Sequence, residues 1–404
     1  MKEIQKGICA PQGFKAAGVW CGIRKNKTKS DLAMIVSDVM CTAAGVYTKN
    51  KVKGAPLVVT KNHLADGHAQ AVICNSGNAN TCAPNGMEIA EGTCKLAAQA
   101  LGLKPEDMLV GSTGVIGCEM SMEPFQTGIP QLVKQLSYDG SQAAAHAIMT
   151  TDTKLKEVAV EFEVGGKTCH LGAIAKGSGM IHPNMATMLC FITTDASISA
   201  PMLQKALSAD VPDSFNQVSV DRDTSTNDTV TIMANGLAGN AEITAEGADF
   251  DTFCQALAYV THKMSFLIAS DGEGASRTIV CEVKGAPCKE TARLVSRSVI
   301  SSNLLKAAIF GKDANWGRIL CAIGYTDAEF DVSLVDVTLS STAGSVFVCE
   351  KAAHHEFSEE LASKVLSEDV VTILVEMHQG DGEATAWGCD LTYDYVKING
   401  DYRT

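Results

Sequence analysis

The chain has 404 residues, 46% hydrophobic and 20% charged, enough apolar material for one large α/β body or two packed units. Lys and Arg number 33 against 46 Asp and Glu, a formal charge of −13. No basic run offsets it, so nucleic acid and anionic membrane are not expected partners, and a small-molecule site remains. Fifteen cysteines form no C-x-x-C pair, which argues against a zinc ribbon or redox motif. They read as small buried apolar side chains in a reducing compartment. The opening MKEIQKGICAPQGF lacks the apolar stretch of a signal peptide. Nowhere do about eighteen apolar residues run together, so the expectation is a soluble, cytoplasmic protein.

In chain order, Ala71 to Cys74 reads as a strand entering the polar segment NSGNAN (Asn75–Asn80), and a helix follows from Met87. Met108 to Val110 is a second strand, ending at Gly111-Ser112-Thr113-Gly114 as a turn. Val158, Val160, Phe162 and Val164 alternate as a half-buried strand does. MLCFITTDA, from Met188, is a buried strand, and Ser199 then caps a helix carrying Pro201 in its first turn. From Phe250, residues Phe253, Ala256, Leu257, Val260, Met264, Leu267 and Ile268 keep helical spacing up to the loop DGEGAS. Near the end, VVTILVEMH and EATAWGCDL flank QGDG, a hairpin signal. No repeat or linker marks a domain boundary.

The segment KGSGMIHPNMATMLCFITTDA (Lys176–Ala196) sets a Gly/Ser-rich stretch against the apolar strand, with Thr187 at the seam. A threonine hydroxyl is a weak nucleophile and needs a base. Cutting Ala186–Thr187 would supply one, because the new α-amine has an unperturbed pKa of about 8. The cut can be self-made: the Thr187 hydroxyl attacks the Ala186 carbonyl, and water opens the ester. The alternative is an ordinary turn before a strand that opens on threonine.

Other candidates carry the same two readings. The GSTG backbone and Thr113 hydroxyl are either oxyanion donors or a tight turn. The NSGNAN amides suit ligand binding or an ordered loop. Lys176 either binds a carboxylate or is solvated; Glu273, between glycines, either meets an ammonium or lies on the surface. His182 is a base for Thr187 or an exposed loop residue. His354 and His355 lie near Glu356, Glu359 and Glu360, but adjacent residues point apart, so no metal site is expected.

Several blocks together resemble one family. KGSGMIHPNMATML is similar to the cleavage segment of the ornithine acetyltransferases, the glutamate N-acetyltransferases of arginine biosynthesis. NSGNAN, GSTGVIG, MTTDT (Met149–Thr153), DTSTNDTV (Asp223–Val230), DGEGAS, GKDANWGRI and YVKINGDYRT follow in the family's order over nearly the whole chain. The resemblance implies an αββα-type α/β sandwich like that of self-cleaving N-terminal-nucleophile enzymes, with a smaller C-terminal lobe. It implies cleavage at Ala186–Thr187 into chains 1–186 and 187–404. It also implies ping-pong transfer of acetyl from N-acetylornithine to glutamate through Thr187. The family's oxyanion pair falls on Thr113 and Gly114, and its substrate contacts on Thr150, Lys176, Thr187, Glu273, Asn399 and Thr404. No cofactor or metal is implied. Some members also use acetyl-CoA, and the usual assembly is an α2β2 heterotetramer. Leu155 and Arg222 stand where the family usually has proline and glycine. Two rivals remain: a hydrolase that gives the acyl group to water, and a binding protein with an intact Ala186–Thr187 bond.

Overall fold

The computed structural model describes residues 1–182 and 188–401. One sheet takes β1 (Lys2–Ile4), β2 (Phe14–Val19), β3 (Leu32–Tyr47), β4 (His68–Asn78), β5 (Met108–Val115), β6 (Lys156–Val164), β7 (Lys167–Lys176) and β8 (Leu189–Thr194). A second sheet opens with β9 (Val218–Ser219), whereas β10 (Thr229–Ala234) returns to the first. The second sheet continues through β11 (Thr278–Ala286), β12 (Asp336–Ser341), β13 (Gly344–Glu350), β14 (Ala353–His354), β15 (Val370–Glu376) and β16 (Gly382–Cys389). Among the described residues the helices are α1 (Ala55–His63), α2 (Gly86–Leu101), α3 (Glu123–Gln135), α4 (Ser141–Ile148), α5 (Ala200–Asp210) and α6 (Ala248–Ala269), then α7 (Lys289–Ile300), α8 (Asn303–Phe310), α9 (Trp316–Gly324), α10 (Glu359–Val365) and α11 (Tyr393–Asp401).

Strand β3 organises the first sheet. Its Leu32–Val36 half pairs β2 and β4, its Thr42–Tyr47 half pairs β10, and the register with β4 shifts between Val36 and Cys41. Such an irregularity bends a strand and adds twist. Because strand side chains alternate, each half then has an inner and an outer face. Ala33, Ile35, Val72, Cys74 and Leu109 from one half share a buried cluster with Ile174, Leu189, Phe191 and Met233 from the other. Their neighbours Leu32, Met34, Ile73, Met108 and Val110 pack outward against α2 and α3. On the far side, Ala173, Cys190, Ile192 and Ile232 pack against α5 and α6. The layers therefore run helix, sheet, sheet, helix, as the four-layer expectation requires.

The second sheet builds the smaller lobe. Ile279, Cys281, Val283, Val337, Leu339, Val371, Ile373 and Val375 form one face, covered by α7, α8, α9 and α10. Val218, Trp387 and Cys389 join the cluster of α5 and α6 instead, tying the lobe to the main body.

Several local expectations change. GSTG is no turn, because β5 continues through it alongside β4. The QGDG segment closes no hairpin, since β11 lies between β15 and β16 and pairs both. Ser199 holds the N-cap position of α5, with Pro201 in the first turn, but its side chain makes no capping bond. All fifteen cysteines are free thiols; nine are buried, and Cys82, Cys118, Cys288 and Cys321 are exposed. Arg222 has a φ of 70°, the left-handed region that favours glycine. Among the described residues no helix is long and apolar enough to cross a membrane.

Phe253 of α6 is fully buried, 6.3 Å between ring centroids from Phe162 of β6. Replacing it by alanine should lower the unfolding free energy by about 3–5 kcal/mol, read as an earlier urea midpoint at unchanged slope.

Candidate active site

Parallel strands β4 and β5 run together to their ends, setting Ser76 against Thr113 and Gly77 against Gly114. Gly114 has a φ of 131°, and a Cβ there would lie 2.4 Å from the Gly77 carbonyl carbon and 2.6 Å from the Asn78 nitrogen. Only glycine allows that approach.

Amide side chains brace the same corner. Asn75 Nδ2 donates to the Asn78 carbonyl at 2.9 Å, and Ser112 Oγ donates to Asn75 Oδ1 at 2.6 Å. Asn78 Nδ2 reaches the Cys118 carbonyl (3.0 Å), and Asn80 Nδ2 reaches that of Gly86 (2.9 Å). Asn227, from the turn before β10, donates to the carbonyls of Ala79 (2.5 Å) and Ser112 (2.9 Å). Four of the six NSGNAN residues thus belong to β4 rather than to the loop expected from sequence, and the amides brace the strand end.

Thr113, Gly114, Thr150, Lys176, Glu273 and Asn399 all line one cavity of about 160 Å³. They come from five separate places: the end of β5, the segment after α4, the end of β7, the loop after α6, and α11. Glu273 lies against Gly179, where a Cβ would sit 2.4 Å from its carboxylate. Asn399 Nδ2 donates to Glu273 Oε2 at 2.8 Å, a contact that gives the C-terminal helix a place at the site. Ala186, Thr187 and Thr404 lie outside the described residues. Met188 lines a smaller cavity of about 20 Å³ together with Thr113, Lys176 and Asp228.

Charge sets the character of this region. Lys176 is only 8% exposed, not the solvated lysine that is its commonest state. Burial raises the Asp228 carboxyl well above the usual carboxylate range, with Lys176 acting in the opposite direction. Asp152 goes the other way: burial opposes its charge, but Lys176 and then Lys156 hold it well below that range. The two acids that interact with Lys176 are thus shifted in opposite directions, Asp228 up by burial and Asp152 down by the lysines. An ammonium and a carboxylate on one cavity wall complement the two charges of a free amino acid.

His182 does not line this cavity. It lines a separate one with Arg222 and Arg297, and its Nδ1 lies 3.0 Å from Ser219 Oγ. Burial and the charges of Arg297, Arg222 and Lys306 lower its pKa to about 4. His354 stacks on Trp316, and His355 contacts Phe347 and Glu350. Sequence reasoning gave no individual role to Met180, Ser225, Thr226 and Asn227, which line the main cavity together with Gly179. The signals were two family blocks, KGSGMIHPNMATML with Gly179 and Met180 and DTSTNDTV with the other three.

A family model described as the ArgJ family matches residues 15–404. This chain belongs to the ArgJ family. A protein of Caldanaerobacter subterraneus subsp. tengcongensis, named arginine biosynthesis bifunctional protein ArgJ, is 50% identical over 405 residues, spanning 100% of both chains. One of the same name from Symbiobacterium thermophilum is 50% identical over 406 residues, again spanning 100% of both. A crystal structure described as ornithine acetyltransferase complexed with ornithine, from Mycobacterium tuberculosis, is 36% identical. It covers 46% of this chain and 99% of its own, with a TM-score of 0.43. The resemblance seen in the sequence blocks is thus a membership, and the chain is an enzyme of that family.

Gly114→Ala should lower stability by about 1–3 kcal/mol through backbone strain and disturb the end of β5. An unchanged urea midpoint would show that the approach of β4 and β5 has slack.

Proposed function

We propose that this enzyme moves an acetyl group from N-acetylornithine to glutamate through an acetyl ester on Thr187, releasing ornithine and then N-acetylglutamate. The observation that carries the reading is the convergence of Thr113, Gly114, Lys176 and Glu273 on one cavity.

The enzyme first processes itself. The Thr187 hydroxyl attacks the Ala186 carbonyl, the C–N bond opens as the C–O bond forms, and water hydrolyses the ester. Residues 1–186 and 187–404 result, the second with a threonine α-amine at its start. That amine takes the proton of the Thr187 hydroxyl as it attacks the acetyl carbonyl of N-acetylornithine. Thr113 and Gly114 receive the developing oxyanion. The α-nitrogen of ornithine leaves with a proton, and the amine of glutamate then attacks the acetyl-threonine. In both half-reactions Lys176 takes a carboxylate of the amino acid. Glu273, with Asn399 against it, takes the side-chain ammonium of ornithine. Thr150 and Thr404 complete the contacts. The scheme uses no cofactor or metal.

The sheet supports cleavage without loss of the fold. β8 lies just after the seam and is bonded to β7 on one side and β10 on the other, while β10 in turn pairs β3. Each piece therefore supplies neighbouring strands to one sheet, and we take the functional particle to be an α2β2 assembly of the two. Free thiols throughout suit the cytoplasm. The word bifunctional in the relatives' names supports a second donor to glutamate; acetyl-CoA is the one proposed.

Intact mass of the purified protein tests the seam. The wild type should give two chains meeting at Ala186–Thr187 that elute together under native conditions, and Thr187→Ala should give one. A single wild-type chain, or two from Thr187→Ala, would remove Thr187 from the mechanism.

A further inference from the structure

Three segments that carry the site share no strand, yet a buried ion cluster joins them. Lys156, at the start of β6, is 1% exposed; its Nζ donates to Asp152 Oδ1 at 2.8 Å and Asp271 Oδ2 at 2.5 Å. Asp152 Oδ1 also accepts from the Gly177 N–H (2.7 Å), and its Oδ2 accepts from the Thr150 N–H (2.9 Å) and hydroxyl (3.5 Å). Asp271 accepts from the N–H groups of Thr153 (3.0 Å) and Lys154 (3.2 Å) and from the Thr153 hydroxyl. Its own carbonyl accepts from Ser178 Oγ (2.6 Å), and the Ser178 carbonyl accepts from the Glu273 N–H (3.0 Å).

Each thread ends at the cavity. Asp152 reaches Thr150 directly and Lys176 through the adjoining Gly177, while Asp271 reaches Glu273 through Ser178. A packed apolar cluster of similar volume would stabilise a fold as well as buried charges do. It would not grip backbone N–H groups with the direction and strength of ionised acceptors.

We propose that Asp152 and Asp271, bridged by Lys156, are positioning residues that hold Thr150, Lys176 and Glu273 in register for an amino-acid substrate. The inference rests on the reading of Lys176 and Glu273 as the substrate's charge contacts. The partners of the Asp152 oxygens, Lys156, Gly177 and Thr150, are all donors. An asparagine there must turn its NH2 group toward one of them, so one link breaks. Lys156 keeps Asp271 as its counter-charge, and the fold survives. Asp271→Asn acts in the mirror sense, leaving Lys156 with Asp152.

The test uses full-length Asp152→Asn and Asp271→Asn, with KM for N-acetylornithine and for glutamate, kcat and thermal midpoint measured on each. At least one KM should rise about tenfold or more, the scale of a misplaced binding group, with kcat little changed. A merely structural role would lower the midpoint and leave both KM values alone, which would overturn the proposal. Failure of both variants to fold would also contradict it, because each leaves Lys156 one carboxylate. Lys176→Met separates the underlying reading. A normal KM in Lys176→Met removes Lys176 from the site; a raised one beside normal aspartate variants defeats the positioning role alone.

Discussion

A lysine withdrawn from water must receive its counter-charges from the fold, and Lys156 receives two, from Asp152 and Asp271. The two aspartates lie far apart in sequence, one after α4 and one after α6. Meeting the demand of one buried ammonium thus closes the same region from opposite sides of the chain. Lys176 and Glu273, adjoining that cluster through Gly177 and Ser178, line one cavity. Burial pushes the Asp228 carboxyl up, while Lys176 and Lys156 hold that of Asp152 down, so two acids beside one lysine shift in opposite directions. The charge balance of the site is therefore set by burial as much as by residue type.

A second constraint is steric. The approach of β4 and β5 at Gly77 and Gly114 leaves no room for a side chain, so the candidate oxyanion donors stand on a rigid strand end. Asn227 braces the same end from the segment before β10, and β10 pairs both β8 and β3. The residues read as an oxyanion site and the strand after Thr187 are parts of one sheet. A nucleophile at that seam would be held by strands from both products of cleavage.

The strands were legible wherever alternation or a continuous apolar run marked them, as in Val158–Val164 and Leu189–Thr194. The helix of Phe253, Leu257 and Met264 was equally plain from its spacing. What sequence could not show was partnership. VVTILVEMH and EATAWGCDL look like hairpin arms because nothing local reveals β11 entering between them. GSTG looks like a turn because its strand character comes from pairing with β4. Asp152 and Lys156, four apart in TTDTKLK, drew no individual reading from sequence; their buried cluster is completed by Asp271, more than a hundred residues away. Asn399 carried no local signal, and its role near Glu273 came only from resemblance until α11 placed it there. Lys176 and Glu273, by contrast, were singled out from charge and loop context, each with a surface reading left open, and the resemblance then gave them a role; both line the cavity.

Transfer by the proposed route requires that an acetyl group rest on Thr187 between two amino acids. The most direct measurement is the mass of the 187–404 chain after exposure to N-acetylornithine without glutamate, followed by glutamate addition and product analysis. The expected result is one acetyl group gained on that chain, on its N-terminal threonine, then lost on adding glutamate as N-acetylglutamate appears. A chain that never gains acetyl, or that loses it only to water as acetate, would contradict the transferase account.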